Sequence, residues 1–233
     1  MKSESQVPSS ASPAVGIALI AASVLEIPVM MHHPSVRTPD VVQSIARLRE
    51  VASVSAWVHG LLIALMLVGF FGLTEFSLRR GIRRPLIRAG LTAYAFGVVA
   101  MIMATSVSGF VTAAVAARVP ATTATDLSIA GDLFILCGVL SRTMANLATV
   151  LMSAAIIAWS LDFFRRAGFE RALGVVGTIV GVWTFVALIT GALQLDVHGM
   201  LLVVVLQSMW VAGVGLLLLK DAASSHRYDG SHD

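Results

Sequence analysis

Residues 14–34 read AVGIALIAASVLEIPVMMHHP. The run from Ala14 to Met31 is close to the about 20 apolar residues that carry a helix across a ~30 Å hydrocarbon core. Pro34 ends it, because proline biases His33 away from helical angles. Glu26, His32 and His33 are the least expected residues here, since the chain is 57% hydrophobic. The purest core of the run, 14–25, has the length of a signal-peptide h-region. Against that reading, Lys2 is offset by Glu4 and no small-x-small cleavage site follows. A retained helix is expected.

The same pattern recurs along the 233 residues. Only 12% of them are charged and the mean hydropathy is +0.88, whereas a soluble domain carries roughly a quarter charged residues. Strict period-2 alternation is absent, which argues against a membrane β-barrel. The fold class expected is all-α: a polytopic bundle of six transmembrane helices, with a short outer amphipathic helix and an extended hairpin between spans 3 and 4. The spans are placed at 14–31, 56–78, 86–107, 143–163, 172–195 and 197–219. Residues 1–13 and 220–233 are expected to be disordered tails. Cys137 is the only cysteine, so no intrachain disulfide and no thiolate metal cluster can form within one chain.

Local signals fill in the connections. Thr38-Pro39-Asp40 reads as a helix start, with a capping hydroxyl, a proline at the first helical position and an acid in the first turn. Val41, Ile45, Leu48 and Ala52 then form an apolar stripe, with Gln43, Arg47, Arg49 and Glu50 largely off it. Span 3 is expected to continue to Ala117, ahead of Val119-Pro120. Capping residues at 122–126 open a helix that can run unbroken to Phe164, too long for one perpendicular crossing. Gly177-x-x-x-Gly181 lets a neighbouring helix approach span 5 closely.

Basic residues set the expected orientation. With both termini cytoplasmic, the inner segments hold Lys2, Arg79, Arg80, Arg83, Arg84, Arg88, Arg165, Arg166, Arg171, Lys220 and Arg227. The outer segments hold only Arg37, Arg47, Arg49 and Arg118. This bias predicts the orientation, and it makes the basic residues topology markers rather than a nucleic-acid surface. Trp57 and Trp159 are expected at the two membrane boundaries, and Trp183 and Trp210 as midplane packing. Glu75 is expected to pair with Arg79, Asp162 with Arg165 and Arg166, and Asp196 with His198.

Counting about 20 residues outward from each inner boundary brings a polar layer to one depth: His32 and His33, His59, Ser106, Arg142 and His198. Glu26 lies seven residues before His33 on the same helical face, and Asn146 one turn from Arg142. Ionisable residues inside a membrane are costly alone and point to function. The candidate ligand-binding set is therefore Glu26, His33, His59, Arg142, Asn146 and His198, with Glu26 and Arg142 a candidate pair. His33, His59 and His198 are candidate ligands for a transition metal, although no HExxH or CxxC motif supports them. His32 and His33 point in different directions, so at most one joins.

Three readings follow. An outward-facing pocket binds or moves a small solute or ion. Alternatively, the chain is an accessory or structural membrane protein without pocket chemistry, or a His-ligated metal or haem protein. An enzyme is not the favoured reading. The partners expected are the lipid bilayer and a second copy of the chain, and no nucleic acid. Over most of its length the chain resembles uncharacterised bacterial six-span inner-membrane proteins. The likeness rests on His32-His33-Pro34, Val58-His59-Gly60, Val107-Ser108-Gly109-Phe110-Val111-Thr112 and Leu195-Asp196-Val197-His198-Gly199-Met200-Leu201. It implies the architecture and no activity.

Overall fold

The computed structural model describes residues 13–34, 40–119 and 123–229. All regular structure among them is helical: α1 Pro13–Met31, α2 Val41–Glu50, α3 Ala52–Arg80, α4 Pro85–Ser106, a π-helical turn Val107–Val111, α5 Thr112–Arg118, α6 Ala124–Phe163, α7 Phe169–Ile189 and α8 Val197–Asp229. Six of these segments are long and apolar enough to cross a membrane, with α4, the π turn and α5 counting as one. The chain is thus an all-α, multi-pass membrane bundle whose apolar helices imply association with a lipid bilayer.

Helix ends follow local chemistry. Asp40 is the N-cap of α2 and accepts from the Val42 N–H at 2.9 Å. It is therefore not the first-turn acid expected from sequence; Thr38 and Pro39 lie outside the described residues. Thr123 and Asp126 form a reciprocal capping box at the start of α6, which satisfies two otherwise unpaired N–H groups. Gly81, with φ of +95°, makes the turn between α3 and α4 where a side chain would be strained. The last helix runs on to Asp229 rather than stopping near 219, so 220–229 is helical, not a disordered tail. Residues 1–12 and 230–233 lie outside the described set.

The spanning helices form a ring in chain order. α1 packs on α3, α3 on α4, α4 on α6, α6 on α7, α7 on α8, and α8 returns to α1. Small residues set the closest approaches. Cβ atoms at Gly177 and Gly181 would collide with Ser160 and Ile157 of α6, so the Gly177–Gly181 spacing is what lets α7 lie against α6. The hairpin extension α5–α6 projects past the bundle, and α2 packs against it. Arg49 of α2 donates to the Ala116 and Val119 carbonyls at 2.8 Å each. A cation there also suits the negative end of the α5 dipole.

The arginine-rich end of the ring is filled. Trp159 and Trp210 stack at 5.8 Å with their planes 13° apart. Phe76, Phe163 and Tyr94 pack around them. Trp159 is fully buried, because it faces the ring interior; the expected place in a boundary belt is wrong for it. Trp57, by contrast, is 81% exposed. Arg80 closes this end, bonding Glu170 at 2.7 Å and lying over the Phe76 and Phe163 rings. The buried Asp162 carboxylate pairs with Arg84 at 3.3 Å, not with Arg165 or Arg166. The α3–α4 turn delivers Arg84 across the bundle, while Arg166 faces Glu170 at 3.9 Å. Glu75 and Arg79 pair as expected, at 2.7 Å.

Candidate functional site

At the other end the ring is open inside. A cavity of about 1040 Å³ occupies this half, bounded towards the arginine end by Tyr94, Met152, Ile156 and Val211. Glu26, His33, His59, Arg142, Asn146 and His198 all line it. They come from α1 and its end, α3, α6 and α8, so residues up to 172 positions apart in sequence meet around one space.

Within that set only the first two histidines touch. The Nε2 atoms of His33 and His59 are 3.0 Å apart, with the rings edge to face at 4.6 Å. His59 Nδ1 lies 2.7 Å from the Ser55 carbonyl one turn earlier. A carbonyl can only accept, so Nδ1 carries the hydrogen and Nε2 of the neutral ring is a bare lone pair. His33 must then donate through its own Nε2, which leaves its Nδ1 as an acceptor. That Nδ1 atom is buried with no hydrogen-bond partner. Burial first, and the neighbouring His59 charge second, push the His33 imidazole down to about 4, while the Pro34 carbonyl opposes them.

The backbone is built around this pair. Ser106 and Thr112 flank a π-helical turn in which Gly109 is buried. A Cβ at Gly109 would collide with the His59 ring. The Thr112 hydroxyl donates to the Val107 carbonyl at 2.8 Å and so holds the turn from its far end. Such turns, with one residue more than the α repeat, are frequent at functional sites.

The remaining members are arranged differently from the sequence expectation. His32 turns away and bonds the Pro28 carbonyl through Nδ1 at 2.7 Å. His198 lies exposed in the first turn of α8, with no hydrogen bond or ring contact to the other two histidines among the described residues. Asp196 does not pair with it; the Asp196 carboxylate accepts from the Gly199 N–H at 2.9 Å and caps α8. The expected metal set of His33, His59 and His198 therefore does not assemble. The His59 lone pair is already taken by His33, and no three His, Cys, Asp or Glu side chains are grouped to hold a metal among the described residues. Glu26 and Arg142 form no ion pair either. Arg142 is exposed at the cavity wall, while Glu26 accepts a 3.3 Å hydrogen bond from Ser208 of α8.

Sequence reasoning missed two contributors. Gln207 and Ser208 line the cavity as well, Ser208 against Glu26, and the Gln207 Nε2 donor is buried without a partner. Adjacent polar residues in the middle of an apolar span were the available signal. The π turn has no comparable signal, since Val107-Ser108-Gly109-Phe110-Val111 is compatible with a plain α-helix. The chain matches no protein-family model, no curated protein and no solved structure.

Proposed function

We propose that the chain is a bacterial inner-membrane protein, both termini cytoplasmic, that takes a small solute or ion into a pocket opening on the outer face. The observation that carries this reading is the contrast in filling along the bundle. Six polar residues from well-separated helices line one cavity, while aromatic rings close the arginine-rich half. A blind cavity suits binding or one step of a transport cycle, and argues against an open channel. The excess of arginine at the closed end supports the orientation. A mostly apolar space with a few convergent polar groups is also how small-molecule sites are built.

Cys137, the single cysteine, lines the same cavity and serves as a native probe. A membrane-impermeant maleimide is expected to label it in intact spheroplasts and not from the cytoplasmic side of inverted vesicles. Labelling only in inverted vesicles would reverse the orientation. No labelling from either side would remove the accessible pocket and with it this reading.

A further inference from the structure

We infer that the solute taken by this pocket is a lipophilic organic cation whose charge is held by Glu26; the inference rests on the pocket reading above. Three acids near the arginine-rich end of the other spanning helices already have a cation. Glu75 bonds Arg79, Asp162 bonds Arg84, and Glu170 bonds Arg80. Glu26 differs from these three. Among the described residues no lysine or arginine comes within ion-pair distance, and its hydrogen-bond partner is the Ser208 hydroxyl. A carboxylate at membrane depth is costly without a counter-charge. Here the chain supplies none and leaves a large space beside it.

The walls of that space say what accompanies the charge. Met30, Met66, Met101, Met152 and Met200, from five different spanning helices, all line it. Methionine is unbranched and polarizable, so it moulds to apolar bodies of varied shape and is over-used on promiscuous binding surfaces. A cavity of about 1040 Å³ matches the upper end of drug-sized sites, roughly 300–1,000 Å³, and is far larger than an inorganic ion requires. Of the cavity residues, Arg142 carries the opposite charge, but it is exposed and its long stem lets the guanidinium reach water. The neutral His33–His59 pair and Gln207 add polar contacts without charge. Together these features fit an apolar body carrying one positive charge.

The test is equilibrium binding of radiolabelled tetraphenylphosphonium to the purified full chain, with tetraphenylborate as a competitor of the same shape and opposite charge. Saturable binding is expected, with tetraphenylborate ineffective. Glu26→Gln is expected to raise Kd by about tenfold or more, and Glu26→Asp, which keeps the charge, to retain most of the affinity. No saturable binding, equal displacement by tetraphenylborate, or unchanged affinity in Glu26→Gln would each overturn the inference. If Glu26→Gln does not fold, the charge selectivity of the unaltered chain still decides. Outer-face labelling of Cys137 without tetraphenylphosphonium binding would refute the cation alone. Failure of that labelling would refute the pocket itself.

Discussion

The two halves of the bundle are made from the same six helices and are packed in opposite ways. Near the arginine-rich end, Trp159, Trp210, Phe76 and Phe163 leave no room inside the ring. Near the histidine end, five of them, all but α7, present Ser, His, Met and Asn to an internal space. In the filled half, large rings and arginine pairs hold the helices together; in the hollow half, α2 and α6 add Ser44, Leu48, Phe134 and Ser141 to the cavity wall. The difference teaches that packing density changes along the bundle, so mutations of equal size should have unequal consequences in the two halves.

The largest expected difference comes from truncating side chains. Trp159→Ala removes a fully buried ring and is expected to cost about 3–5 kcal/mol. Leu62→Ala, on the wall of an existing cavity, should cost under about 1 kcal/mol because little packing is lost. Reversible unfolding in mixed micelles would measure both, and equal costs would break the comparison. Next comes the glycine at the histidine pair. Gly109→Ala drives a methyl group into His59 and should cost about 1–3 kcal/mol, whereas Gly60, with nothing within 4 Å of an added Cβ, should tolerate alanine. A similar Tm for both variants would show that the π turn does not fit His59 closely.

The smallest effect is a pH dependence arising at the His33–His59 pair. His33 follows the end of the first span and titrates at about 4 when folded, below the usual 6.5. The unfolded chain therefore takes up the proton first as pH falls. The His33 contribution is fully present above about pH 6.5 and is lost as pH drops towards 4. A loss on the order of 1 kcal/mol is expected, absent in His33→Gln, and measurable as a Tm difference between pH 7 and pH 5. An identical pH response in that variant would place the titrating group elsewhere.

Much of this division could be read in advance, and the reason is geometric. Counting residues from a charged boundary gives height in a membrane, so Glu26, His33, His59, Arg142, Asn146 and His198 were gathered at related depths, and all six line one cavity. Hydropathy located the spans, and the long helix beginning beside Thr123 was legible from its caps. Height does not give azimuth. The choice of Arg84 over Arg165 by Asp162, the separation of His198 from the other histidines, and the inward turn of Trp159 all depend on helix rotation within the ring. Gln207 and Ser208 carry no charge and so stand out less in an apolar span, although Ser208 donates to Glu26.

The contact between α1 and α8 has a consequence for assembly. A Cβ at Gly16 would sit 2.7 Å from the Gly215 carbonyl oxygen, and one at Gly215 would sit 2.9 Å from the Gly16 carbonyl oxygen. The earliest of the six spans to be synthesised is thus shaped to receive the latest. Until α8 emerges, the glycine face of α1 has only lipid or a chaperone against it, and the ring stands open on that side. Insertion and closure are therefore separate events during biosynthesis, and a nascent chain of five spans would present its future interior sideways to the bilayer.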